Sequence, residues 1–142
     1  IRLAPNLDAE GVLQNEVSIE LEHKDLESGE AYLIPHILFE TASDRLDAQS
    51  ELLIASFAQY LLGAPSLRVQ IQGHTDNVGD ASANLDLSKR RAKRVAETII
   101  DLGVSANRIS HGGYGESRPV ASNDSEVGRS QNRRTVFVVT AL

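Results

Sequence analysis

Between two stretches of helical period lies LRVQIQGH, where Leu67, Val69 and Ile71 alternate with Arg68, Gln70 and Gln72. A period of two marks a strand with one apolar face. That face needs a cover, and the neighbouring segments supply it. Before it, DRLDAQSELLIASFAQYLLG sets Leu46, Leu53, Phe57 and Leu61 near helical spacing, with Gly63 placed to end the helix. After it, Ser88 reads as the N-cap of a helix that runs to about Leu102 and stops at Gly103. A strand flanked by helices in this way restricts the chain to the α/β class.

The remaining segments complete the order. IPHILFE is a short apolar run ending at Phe39 and predicts a buried strand. NRISHGGYG predicts another short strand, residues 114–130 read as polar loop, and RTVFVVTAL is a final strand. The expected fold is an α/β sandwich in βαβαββ order, with helices on one face of a small mixed sheet. Residues 1–15 have neither period and are punctuated by Pro5 and Gly11. EVSIELE then alternates as a half-buried strand and DLESGE closes it as a turn. This divides the chain into an N-terminal extension or connector, 1–32, and a domain, 33–142, a division that suits a total length of 142 residues.

Composition removes several functions. There is no cysteine, hence no disulfide framework, thiolate nucleophile or zinc ribbon. A net charge of -6 argues against a nucleic-acid partner held by the overall field. No run approaches the roughly 18 apolar residues of a membrane span. The chain starts at Ile1 and contains no Met, which points to a processed or excised piece with any membrane anchor upstream.

The densest chemistry lies in GHTDNVGDASANLDLSKRRA, residues 73–92. With residues about 100° apart on the expected helix, Lys89, Arg90, Lys93 and Arg94 share the face away from the core, whereas Val95, Ile99, Ala92, Leu102 and Ala96 face inward. Arg91 falls at the border, in the expected first turn, where it can lean toward the loop containing Asp76 or simply lie as a snorkelling side chain. A calcium loop fails because Val78 occupies the third position from Asp76. A metal site on His74 and Asp76 lacks an HExxH helix, and His23, His36 and His111 are scattered. GGYGESRP breaks the dinucleotide fingerprint at Arg118 and Pro119, and no GxSxG elbow or triad is visible. KRRAKR, without a cluster of aromatics for base stacking, reads as a solvated face. No metal, cofactor or catalytic residue is therefore assigned.

What remains is a ligand carrying both signs of charge. Asp76 can accept charge-assisted hydrogen bonds from an ammonium, and Arg91 can clamp a carboxylate. The spacing alone does not separate this from a simple ion pair between Asp76 and Arg91.

IQGHTDNVG, ANLDLSKRRA, GVSANRISHGGYGESRPVASND and GRSQNRRTVFVV resemble, in order and spacing, successive blocks of the OmpA-like peptidoglycan-binding domain, from about Leu33 to the C-terminus. The resemblance implies a β/α sandwich that binds the diaminopimelate of the peptidoglycan stem peptide without covalent chemistry. The Asp of HTD and the Arg of LSxxRA, which grip the free amino acid centre in that family, match Asp76 and Arg91. The intervening Asn matches Asn84, and the first Arg of NRR matches Arg133, both of which the resemblance adds to the diaminopimelate-binding residues; Arg129 and Arg134 read as structural partners. One position departs: several members have Asn after FDT, where this chain has FET followed by Ala42. Residues 18–35 resemble the connector of longer members, so a larger parent protein is expected.

The expected function is thus to tether an outer-membrane or envelope protein to the wall from the periplasm, with the membrane reached only through an upstream region. The alternatives are a hydrolase acting on the same polymer and a protein-interaction module using the basic helix face.

Overall fold

The computed structural model describes residues 26–142. EVSIELE lies outside the described residues. The elements are β1 (Ala31–Ile34), α1 (Ala48–Leu62), β2 (Arg68–His74), α2 (Ala81–Asp101), a 3-10 turn (Ala106–Arg108), β3 (Ile109–Gly113), α3 (Glu126–Asn132) and β4 (Arg134–Ala141). The sheet order is β1-β4-β2-β3; β2 and β3 are parallel, and β4 is antiparallel to both β1 and β2. The mixed α/β sheet expected from the sequence is therefore present.

The alternation in β2 does what a period of two requires. Val69 and Ile71 are fully buried with Phe137 and Val139 of β4, under Ile54, Phe57 and Leu61 of α1 and Val95 and Ile99 of α2. Phe57 and Phe137 meet with ring centroids 4.7 Å apart. Leu26 and Ile34 join this core, and β1 straddles the 32/33 junction between the expected extension and domain. On the opposite face, Gln70 donates to the Tyr114 hydroxyl and His74 stacks on the Tyr114 ring.

Four local readings differ from expectation. The first strand lies at Ala31–Ile34 rather than along IPHILFE, because Pro35 has no N–H to donate and His36 turns with φ 65. Phe39 retains only an isolated bridge to Leu46. The second helix starts at Ala81, where Asp80 is the cap and accepts from the Ala83 N–H at 2.9 Å. Ser88 is buried within that helix, its hydroxyl accepting from the Gly115 N–H. Leu102, placed inward by the helical wheel, lies past the last full turn and is exposed. The fourth difference is α3, in what reads as polar loop. Its order comes from polar contacts rather than an apolar stripe: Ser125 caps the Gly128 N–H, and buried Asn132 bonds the backbone of Val120 and Ala121.

Glycines fix how closely α2 approaches the sheet. A Cβ at Gly73 would lie 2.5 Å from the Ser88 carbonyl oxygen, and one at Gly113 would overlap the Lys89 backbone nitrogen. Only these hydrogen-sized side chains let α2 rest on the ends of β2 and β3. Asp76, just beyond β2, and Arg91, on α2, are thereby brought into one neighbourhood.

Candidate functional site

A cleft of about 700 Å³ opens at the C-terminal end of β2, between the segment 37–42, the α2 flank and the junction of α3 with β4. Asp76, Asn84, Arg91 and Arg133 all line it. Its walls carry both signs of charge.

Asp76 is set by the turn that follows β2. The Thr75 N–H donates to the Gly115 carbonyl, and the Val78 N–H donates to Asp76 Oδ1 at 2.9 Å. Asp76 Oδ2 accepts from Arg133 Nη1 at 2.7 Å. The Asp76 side chain is 11% exposed and that of Arg133 42%, so the pair lies at the wall of the cleft, with its acid end buried. Arg133 also donates through Nη2 to Glu126 Oε2 at 2.7 Å. Its hydrogen bonds to Glu126 and then Asp76 hold its pKa above the usual arginine value, while Arg133 and Arg129 hold the Glu126 carboxyl below the usual range.

Arg91 is not the partner of Asp76. Its Nε donates to the Ser43 carbonyl at 2.8 Å, its Nη2 to the Glu40 carbonyl at 3.4 Å, and its guanidinium lies 4.8 Å from the Phe39 ring centroid. Burial, and then Arg90, push its pKa below the usual arginine value, opposed by Asp44. Among the described residues no carboxylate lies within 4.0 Å of it. The simple Asp76–Arg91 ion pair is thus excluded: backbone carbonyls orient the guanidinium and leave its charge without a counterion there. Arg91 also sits well inside α2 rather than in its first turn, because the helix begins at Ala81.

Asn84 is a fastener of the loop. Its Nδ2 donates to the Val78 carbonyl at 3.0 Å and lies 3.5 Å from the Asp76 carbonyl oxygen and 3.4 Å from Glu116 Oε1. Arg134 donates to the carbonyls of Asn132 and Arg118, and Arg129 to Glu126 and the Asn123 carbonyl. Both serve as the structural partners expected of them.

Several features of the cleft had no signal in the sequence. The carbonyls of Glu40 and Ser43 that hold Arg91 are backbone atoms, which any residue type supplies. Glu126 lay in the expected loop; the Ser125–Glu126 pair, a cap followed by an acid, was the available sign of a helix start. His74 is buried beside the cleft with Nδ1 lacking a hydrogen-bond partner among the described residues. Desolvation, then Arg134 and Arg118, lower its pKa to about 4. At the lip, Ala42 adopts φ 55, a left-handed conformation uncommon for a residue with a Cβ.

The arrangement can seat a small group bearing an ammonium against Asp76 and an anion against Arg91. Comparisons with known proteins bear on what that group is. The sequence profile of the OmpA family matches residues 38–133. The chain is 41% identical over 105 residues to the outer-membrane lipoprotein YfiB of Pseudomonas aeruginosa, covering 74% of this chain and 62% of that protein. It is 43% identical over 82 residues to the peptidoglycan-binding protein ArfA of Mycobacterium tuberculosis, covering 58% of this chain and 25% of that protein. In fold it is similar to the crystal structure of the peptidoglycan-associated lipoprotein from Burkholderia pseudomallei, with a TM-score of 0.66, 33% identity and coverage of 72% of this chain and 87% of that one. The chain thus spans less than two thirds of the length of both sequence relatives.

Proposed function

The chain belongs to the OmpA family, and from that premise we propose that it binds peptidoglycan non-covalently through the diaminopimelate of the stem peptide. Asp76 accepts hydrogen bonds from the ammonium of the free amino acid centre, and Arg91 clamps its carboxylate. One observation carries this reading. A buried-edge carboxylate and a guanidinium with no carboxylate within 4.0 Å among the described residues line the same cleft but are not each other's partners. Asp76 retains acceptor capacity beyond the Val78 and Arg133 bonds, since a carboxylate offers about four lone-pair sites. Arg133 shares Asp76 with the ligand, and Asn84 keeps the loop below it closed.

The activity is adhesion rather than catalysis, and the names of the relatives support it. Two charged contacts of roughly 1.5–3 kcal/mol each, made in a cleft open to water, predict weak binding per site. Peptidoglycan repeats its stem peptides, so several copies of the domain on one membrane raise retention through effective concentration. The place of action is the periplasm, where the domain tethers an outer-membrane or other envelope protein attached through an upstream region. No helix among the described residues is long and apolar enough to cross a membrane.

Calorimetric titration with a diaminopimelate muropeptide and its lysine-containing analogue tests this. Binding of the diaminopimelate form alone, lost in Asp76→Ala and in Arg91→Ala with folding intact, is the expected result. Equal binding of the two muropeptides refutes the role of the amino acid centre.

A further inference from the structure

The basic run of α2 has a second flank that the cleft does not use. Lys89, Arg90 and Lys93 leave the helix on the side away from Arg91 and, with His111 and Tyr114, line a groove of about 480 Å³ along β3. β3 is an edge strand of the sheet, and Gly112 and Gly113 leave the groove there without side chains. Arg90 is paired with Asp86 at 2.9 Å. Among the described residues neither Lys89 nor Lys93 has a carboxylate within 4.0 Å. Two unpaired ammonium groups thus stand over one groove in a chain whose net charge is -6.

Tyr114 gives the groove a fixed neutral donor. Its ring is stacked on His74 with centroids 5.6 Å apart and is covered by the Arg118 guanidinium at 3.8 Å, so its position is set from both sides. Its hydroxyl accepts from Gln70 Nε2 at 3.4 Å, which leaves the phenolic proton to donate. Compact ammonium charges with a hydroxyl donor suit an anion whose several oxygens point in different directions; a planar carboxylate is better matched by an arginine fork. We propose that this groove binds a phosphate group through Lys89, Lys93 and Tyr114, with Arg90 adding charge. The site lies on the flank of α2 opposite Arg91, so it can be filled while the peptidoglycan cleft is occupied.

The test uses the whole chain with two probes. Amide-resolved NMR follows titration with inorganic pyrophosphate, and co-sedimentation compares vesicles of phosphatidylcholine with and without phosphatidylglycerol. Shifts centred on Lys89, Lys93, His111 and Tyr114 are expected. Shifts with pyrophosphate but no vesicle binding assign the site to a soluble phosphate, and selective capture by the anionic vesicles assigns it to a lipid headgroup. Lys89→Gln with Lys93→Gln is expected to weaken the association about twenty-five-fold, roughly fivefold for each lysine near an anionic surface, whereas Lys89→Arg with Lys93→Arg retains it. An unchanged amide spectrum of the cleft in the Gln variant shows that the fold survives. Absence of response to both probes, or equal association by the folded Gln variant, overturns the proposal.

Discussion

Replacing Ala42 by Asn is expected to raise both stability and affinity. The residue is exposed at the lip of the cleft with φ 55, a region in which an L-residue other than Gly carries strain of about 1 kcal/mol or more. Asn tolerates this region several-fold better than Ala, so Ala42→Asn recovers roughly 0.5–1 kcal/mol. For a domain of this size the gain corresponds to a rise in Tm of about 2–4 °C. Ala42 lines the same cleft as Asp76 and Arg91, so the new amide adds a donor there, where one neutral hydrogen bond to the ligand contributes about 1 kcal/mol, close to fivefold in Kd. Ala42→Gly separates the two effects. It relieves the strain but adds about 0.5–1 kcal/mol of unfolded-chain entropy, so its stability stays near that of the wild type and its affinity does not change. Differential scanning calorimetry and muropeptide titration of both variants read these values. A lower Tm for Ala42→Asn refutes the strain argument, and equal affinity gains in the Asn and Gly variants refute the added donor.

Three further outcomes follow from the same contacts. His74 has a folded pKa of about 4 against an ordinary 6.5, so the unfolded chain takes up the proton first as pH falls. Stability is therefore full above about 6.5 and declines by roughly 2–3 kcal/mol down to about pH 4; His74→Gln should flatten that slope in urea titrations made across the range. Arg133→Ala strips the buried Asp76 carboxylate of its 2.7 Å cationic partner and should cost about 1–3 kcal/mol in chemical denaturation, with Arg133→Lys falling between it and the wild type. Gly113→Ala drives a methyl group into the Lys89 backbone, which cannot swing away as a side chain would; a loss of about 3 kcal/mol is expected, and an unchanged Tm refutes the close approach of α2 to β3.

The parts of the fold legible in the sequence are those where burial is one-sided. The sequence of β2 alternates because one face meets α1 and α2, and the exposed Lys89, Arg90, Lys93 and Arg94 beside half-buried Arg91 follow the helical wheel. Boundaries set by polar chemistry were not legible. Asp80 and Ser88 are both cap-forming residue types, and only the fold shows that Asp80 caps α2 while Ser88 bonds to Gly115. In α3 the apolar residue, Val127, is 71% exposed and Asn132 is buried, the reverse of the pattern that identifies a helix by hydrophobic period. At the cleft, motif spacing found Asp76 and Arg91 as candidates, but who pairs with whom depends on contacts 57 residues apart for Asp76 and 48 for Arg91.

The two proposed sites differ in a property that salt exposes. At the cleft, Arg133 is already paired with Asp76 and Glu126, whereas Arg91 has no carboxylate within 4.0 Å among the described residues. A zwitterionic amino acid centre brings no net charge, and its ammonium and carboxylate meet their partners within a few ångströms, well inside the roughly 8 Å screening length at physiological ionic strength. Muropeptide affinity should therefore change little with added salt. The α2 flank instead sets unpaired lysines against an anion, and its association must fall steeply as counterions compete. Titrating both ligands at low and high sodium chloride compares them on one protein. A steep salt dependence of muropeptide binding means that the ligand meets Arg91 as a simple anion without engaging Asp76; salt-independent phosphate binding means that the flank contributes hydrogen bonds and not charge.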